Sequence, residues 1–211
     1  MSLADLRTDY RMASLSEGDV DADPMAQFNT WFAEAQRAEV PESNAMVLGT
    51  STADGFPSTR VVLLKGVSAS GFVFYTDYRS RKGRELDANP RAALCFFWQA
   101  LERQVRVTGV VQRVSREESR VYFESRPVGS RIGATASVQS STLANRDELE
   151  RREAELQVKF ADGSVPLPDH WGGYRVMPVA IEFWQGRSSR LHDRILYSRT
   201  DQGWVLSRLS P

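Results

Sequence analysis

Residues 45–76 constrain the fold of this chain more than any other stretch. Three short runs rich in β-branched and aromatic residues, 45–50 (AMVLGT), 58–65 (STRVVLLK) and 71–76 (GFVFYT), are separated by Ala53-Asp54-Gly55 and by the Gly- and Ser-containing segment 66–70. Runs of this length bounded by such turn residues read as an antiparallel meander. A meander exposes unpaired edges unless it closes or is covered, so more strands are expected. The pattern supplies them at 91–98, 102–115, 179–184, 190–198 and 204–209. Within 102–115, Gln104, Arg106 and Thr108 alternate with Val105, Val107 and Gly109, which gives one polar face. A helix is expected from Pro24, with Asp23 as cap and Met25, Phe28, Trp31, Phe32 and Ala35 at helical spacing. Others are expected at 80–86, capped by Ser80, at 116–125, and at 146–160 with Leu149, Leu156 and Phe160 inward. Residues 129–141 read as a Gly- and Ser-rich loop. The expectation is a mainly β (α+β) chain: an antiparallel barrel of about six to eight strands with peripheral helices. It forms a single domain over 25–211, preceded by a mobile arm at 1–24 that carries one helical turn around residues 6–12.

Lys+Arg and Asp+Glu both total 27, so the net charge is zero. That argues against a general nucleic-acid binder, which is normally basic overall. Only Lys65, Lys82 and Lys159 are lysines; the remaining cations are arginines, which favour bidentate contacts with phosphate or carboxylate. The lone Cys95 sits in an apolar run and reads as a buried, inert thiol. The acid-bearing N-terminal segment does not resemble a signal peptide, and no apolar run reaches membrane-spanning length. A cytoplasmic protein without membrane or nucleic-acid partners is expected.

The densest cluster of polar chemistry is 183–194 (FWQGRSSRLHDR), read as a hairpin whose tip and second strand carry anion- and ring-binding groups. Strand alternation would place Arg190, His192 and Arg194 on one face. Arg81 and Lys82 open a helix, where cations are locally unfavourable unless an anion is bound; with Arg60 they suggest one phosphate site. Lys65, Tyr122, Arg126 and Ser130 suggest a second. Gln104, Trp184, Arg190 and His192 are ring-binding candidates. His170 has no evident partner and is given no role. No His/Cys cluster has metal-ligand spacing, and neither a nucleophile elbow nor a Walker loop is present. A chain poor in catalytic groups and rich in anion and ring binders points to a cofactor that does the chemistry.

Nine stretches in register, RVVLLK (60–65), FYT (74–76), SRKGREL (80–86), LERQVRV (101–107), YFESRPVGSRIGA (122–134), QSS (139–141), WGGYRV (171–176), IEFWQGRSSRLHDR (181–194) and the terminal RLSP, resemble the pyridoxamine/pyridoxine 5′-phosphate oxidase family across residues 7–211. The resemblance implies an FMN-binding split β-barrel homodimer with FMN at the subunit interface. It implies oxidation of pyridoxamine or pyridoxine 5′-phosphate to pyridoxal 5′-phosphate, with O2 reduced to hydrogen peroxide. By similarity, Arg60, Val61, Val62, Leu63, Leu64 and Lys65 would hold FMN. So would Tyr75, Thr76, Arg81, Lys82, Gln104, Gln139, Ser140, Trp184 and Arg194. Lys65, Tyr122, Arg126 and Ser130 would hold the substrate phosphate, Arg190 and His192 would contact the substrate near the reacting carbon, and Arg7 and Tyr10 would belong to an N-terminal lid. A related flavin oxidase acting on another ring, such as those of phenazine assembly, and a non-catalytic flavin- or pyridoxal-phosphate-binding module are the alternatives.

Overall fold

The computed structural model describes residues 2–6 and 8–211, so Arg7 lies outside the described residues. After a 3₁₀ turn at Leu3–Asp5 comes α1 (Pro24–Arg37), then β1 (Ala45–Ser51), β2 (Pro57–Leu63), β3 (Gly66–Ser68), β4 (Gly71–Asp77) and α2 (Arg81–Ala88). Next are β5 (Arg91–Trp98), β6 (Arg103–Arg113), α3 (Arg116–Glu124), α4 (Val128–Ala136) and α5 (Arg146–Lys159). The chain finishes with β7 (Trp171–Gln185), β8 (Asp193–Thr200) and β9 (Gly203–Arg208).

The nine described strands form one antiparallel sheet in the order β2-β1-β5-β6-β7-β4-β3, with β8 and β9 branching from β7. The fifteen residues of β7 make that branch. Its first half pairs with β4, Gly172 facing Thr76, and its second half pairs with β8, Trp184 facing Arg194, while β6 runs beside both halves. A register shift at Thr108/Gly109 lets β6 follow the bend. Gly109 permits this close approach, because a Cβ there would lie 2.3 Å from the Met177 carbonyl oxygen. The result is the expected antiparallel split barrel with helices outside it.

Asp23 accepts a hydrogen bond from the Met25 amide at 3.0 Å, and Pro24 occupies the first helical position, so α1 starts where the sequence places it. Its buried stripe of Met25, Phe28, Trp31 and Ala35 plugs the barrel against Phe72, Phe96, Trp98 and Phe183. Full burial of one such aromatic side chain contributes roughly 1.5–3 kcal/mol. A smaller core of Phe123, Ile132, Val165 and Trp171 lies under α3 and α4.

Four local readings need correction. Residues 128–136 are helical, not a loop: Ile132 and Ala136, four apart, are buried and draw the segment onto the smaller core despite Gly129 and Gly133. The strand expected from residue 190 starts at Asp193, after a 3₁₀ turn at Ser188–Arg190 in which Ser189 and Arg190 have φ of 56° and 62°. The N-terminal helical turn sits at Leu3–Asp5 rather than around residues 6–12. In α5 none of its residues is fully buried; Leu156 and the following Phe160 only flank the smaller core.

The alternation in β6 is as expected, with Val105 and Val107 inside and Arg106 and Thr108 outside. Paired residues place Val61, Val47, Cys95, Arg106, Glu182 and Leu196 in one row across six strands of the outer face. Val47, Val61, Leu63, Phe97, Val110, Val179 and Val205 are exposed large hydrophobics. Cys95 is half-buried on this face, and burial raises its thiol pKa, in keeping with an inert group. No helix among the described residues is long and apolar enough to cross a membrane.

Candidate active site

Strand β2, the corner between β4 and α2, and helices α3 and α4 enclose a cavity of about 840 Å³. Arg60, Arg81 and Lys82 line it, and so do Lys65, Tyr122, Arg126 and Ser130, so the two anion-binding sets read from the sequence share one space. Val61, Val62, Leu63, Tyr75 and Thr76 contribute to its wall, as do Gln139 and Ser140 from the loop after α4. The Leu64 side chain instead packs into the main core. Arg60 and Lys65, assigned from the sequence to separate anion sites, both line this cavity, since β2 ends at Leu63 and Lys65 lies beyond it.

Local chemistry builds the cationic corner. Ser80 caps α2 by accepting from the Gly83 amide at 3.2 Å, which brings Lys82 inward. Lys82 Nζ donates to Thr76 Oγ1 at 3.2 Å and to Gln139 Oε1 at 2.9 Å. Burial, reinforced by the nearby Arg60, pushes the Lys82 ammonium down to about 8 against the opposing pull of Asp77 and Glu85. Lys82 therefore stays protonated at neutral pH, poised to gain from an anion. Glu85 is buried beneath it; burial raises its pKa, but hydrogen bonds from Ser58, Thr50 and Arg81 outweigh that and hold it at about 2.

Across the cavity the rings of Tyr75, Tyr122 and Trp171 stack, with Tyr75 and Tyr122 centroids 4.0 Å apart and 17° between planes. The Arg126 guanidinium lies 4.9 Å from the Trp171 ring centroid. Its Nη1 is buried without a hydrogen-bond partner among the described residues, and burial pushes its pKa down. An unpaired buried donor is costly unless a ligand completes it. His170, given no role, has a buried Nε2 3.9 Å from Asp77 and a pKa lowered chiefly by burial.

The remaining candidates gather elsewhere. Gln104 pairs with Trp184 and Trp184 with Arg194, so β6, β7 and β8 present the three in one row. Arg194 is held by Glu182, Nε to Oε1 at 2.8 Å, and by the Ser210 carbonyl. Beyond the row, the 186–192 turn and the N-terminal segment enclose a cavity of about 470 Å³ lined by Tyr10, Arg187, Arg190 and His192. Tyr10 meets Trp184 edge-on at 5.8 Å, an approach that needs Gly186, where a Cβ would lie 2.7 Å from the Tyr10 ring. The expectation that Arg190, His192 and Arg194 share a strand face fails here, since the first two belong to the turn. The Arg187 amide donates to His192 Nδ1 at 3.1 Å, which leaves the proton of the neutral ring on Nε2. Burial, then Arg190, lowers the His192 pKa against Asp193, favouring that neutral form.

Among the described residues the two cavities have no lining residue in common. Sequence reasoning missed the carboxylates that hold the arginines: Glu85, Glu182 and Asp193. Asp193 accepts from the Leu15 amide, Arg187 and Arg208. A spacing of four between Arg81 and Glu85 was the one available signal; Arg60–Glu85 joins β2 to α2, Arg187–Asp193 spans the turn, and Arg194–Glu182 forms across strands.

Residues 32–160 match the family model described as pyridoxamine 5′-phosphate oxidase, and residues 171–211 match the pyridoxine 5′-phosphate oxidase C-terminal dimerisation region. Relatives named pyridoxine/pyridoxamine 5′-phosphate oxidase include one from Bordetella avium, 59% identical with both chains fully covered. Another, from Acaryochloris marina, is 55% identical over 100% of this chain and 96% of that one. Among solved structures, PhzG from Burkholderia lata 383, in complex with tetrahydrophenazine-1-carboxylic acid, superposes with a TM-score of 0.91 at 31% identity, covering 97% of this chain and 100% of that one. Matches to both family models, together with full-length identity above one half, place the chain in the pyridoxamine 5′-phosphate oxidase family of FMN-dependent oxidoreductases.

Proposed function

We propose that the protein oxidises pyridoxamine 5′-phosphate or pyridoxine 5′-phosphate to pyridoxal 5′-phosphate with FMN as cofactor. With the amine, one O2 and one water are consumed and ammonia and hydrogen peroxide are released; with the alcohol, O2 alone is consumed and peroxide released. The observation that carries this reading is the cavity in which Lys65, Tyr122, Ser130 and the unpartnered Nη1 of Arg126 line one wall beside a second cationic group. Two anion-binding sets in one space suit two phosphate esters, one on the cofactor and one on the substrate.

The residues present fit FMN. Arg60, Arg81 and Lys82 match its phosphate, and a cavity of about 840 Å³ is within the usual range for ligand sites. When bound, FMN supplies the hydride acceptor that the chain itself lacks. Lys65, Tyr122, Arg126 and Ser130 would fix the substrate phosphate and so set the distance of the ring's reacting carbon from the cofactor. His192 would present Nε2–H to the substrate as a donor, and Arg190 would orient the ring. A neutral, donating His192 is consistent with hydride transfer, which demands no strong protein base.

The chain is a homodimer: its C-terminal strands match the family's dimerisation region, and the outer face of the sheet leaves Val47, Val61, Leu63, Phe97, Val110 and Val179 exposed for a partner to cover. The separation of the Trp184/Arg190/His192 set from the large cavity supports a complete site at the subunit interface, each copy adding its turn to the partner's cavity. The N-terminal arm, including Arg7 and Tyr10, would close over it.

The likeness to PhzG supports a second reading, oxidation of an unphosphorylated ring acid. The Lys65, Tyr122, Arg126 and Ser130 set favours a dianionic phosphate over a single ring carboxylate. The test is product formation in air by FMN-reconstituted protein supplied with pyridoxamine 5′-phosphate, with peroxide measured in parallel. Equal amounts of pyridoxal 5′-phosphate and peroxide are expected. Bound FMN without product from either B6 phosphate would sink the substrate assignment.

A further inference from the structure

Glu85 occupies the buried face of α2, with its side chain 5% exposed. Thr50 on β1 and Ser58 on β2 donate their hydroxyls to its Oε2 at 2.5 and 2.6 Å. Arg60 Nη2 reaches the same oxygen at 3.3 Å, and Arg81 Nε donates to Oε1 at 2.8 Å. One carboxylate thus ties together two arginines from different elements, both of which line the large cavity. Packing alone does not call for an acid at this position, since the adjacent Leu86 makes the apolar contact of α2 with the main core. A carboxylate taken out of water is tolerated only when fully paired, and this one is paired with the cavity's cations.

The physical need is clear from the surroundings. Arg60, Arg81 and Lys82 converge on one corner and repel each other until an anion arrives. For Lys82, burial is the chief cause that lowers the ammonium pKa and Arg60 the second, while Asp77 and Glu85 pull the other way. Without a fixed counter-charge the guanidiniums would swing towards solvent, and binding would have to gather them again.

We propose that Glu85 is a positioning residue for the cofactor's phosphate, holding the guanidiniums of Arg60 and Arg81 converged on one anion before it binds. The inference rests on the reading that FMN places its phosphate at Arg60, Arg81 and Lys82.

The experiment titrates cofactor-free homodimer with FMN and, separately, with riboflavin, which lacks the phosphate, following quenching of flavin fluorescence. Wild type, Glu85→Ala and Glu85→Gln are compared, with thermal unfolding recorded for each. Glu85→Ala should weaken FMN by about tenfold or more, the equivalent of one charge-assisted contact, and leave riboflavin unchanged. Glu85→Gln keeps one acceptor oxygen and should recover part of the loss; it also serves if the alanine variant fails to fold. Wild-type FMN affinity in both variants, or equal losses of FMN and riboflavin, would overturn the proposal. Failure of wild type itself to bind FMN would instead refute the reading beneath it.

Discussion

Replacement of Arg126 by Met separates binding from stability in a way the structure makes quantitative. In the free protein Arg126 Nη1 is buried and unpaired while the guanidinium rests over Trp171. Met keeps the length and apolar stem but removes the charge. The orphaned donor costs about 1–3 kcal/mol, and the lost cation–π contact was worth roughly 0.5–2 kcal/mol. These oppose each other, so unfolding free energy should fall by no more than about 1 kcal/mol and rises if the orphaned donor dominates. The substrate side has no such compensation. Two charge-assisted hydrogen bonds to a phosphate, at about 1.5–3 kcal/mol each, amount to roughly 3–6 kcal/mol, or a loss in kcat/KM on the order of 10²- to 10⁴-fold. FMN affinity should stay at the wild-type value, because Arg60, Arg81 and Lys82 are untouched. Steady-state pyridoxal 5′-phosphate formation, a flavin titration and a denaturant melt measure the three quantities. A kcat/KM within about threefold of wild type would refute the reasoning, as would a stability loss above about 3 kcal/mol, which would show that Arg126 serves packing.

Three further outcomes are expected. Because the folded pKa of Lys82 is lowered to about 8, stability of the cofactor-free protein should rise as pH climbs from about 8 towards the unfolded value of 10.5. FMN binding needs the protonated form, so FMN affinity should hold below pH 8 and weaken above it; a flat dissociation constant from pH 7 to 9.5 would contradict the assignment. Gly186→Ala would drive its methyl into the Tyr10 ring, and limited proteolysis should then cut within residues 8–24 faster than in wild type; equal rates would show that Tyr10 docking does not depend on Gly186. His192→Gln, which can still donate near the Nε2 position, should retain most of the turnover, whereas His192→Phe should lose it by about tenfold or more; equal loss in both would assign His192 a role beyond donation.

The readable parts of this chain were those governed by neighbours in sequence. The Asp23 and Ser80 caps form over two and three residues, and both helices begin where the caps predict. The Val105/Val107 alternation survives because a strand's side-chain period is fixed by its backbone. Composition misled where tertiary contact outweighed propensity. Gly129 and Gly133 disguised α4, which forms because Ile132 and Ala136 find the smaller core. Arg190 looked like a strand residue, but its positive φ belongs to a turn whose position depends on where β8 pairs with β7.

The sequence by itself determined the residue chemistry: the anion-binding and ring-binding side chains, the shortage of nucleophiles and metal ligands, and the β-rich pattern that carries them. Only the tertiary structure decided their grouping. Register across β6, β7 and β8 sets Gln104, Trp184 and Arg194 in a row, and the turn after Leu63 brings Lys65 into the cavity with Arg60. Burial then turned an ordinary lysine into Lys82, with its lowered pKa, and an ordinary glutamate into the bridge between two arginines. The reason is physical. Hydrogen-bonding capacity and charge are properties of a residue, whereas desolvation, register and convergence arise only when distant segments exclude water together.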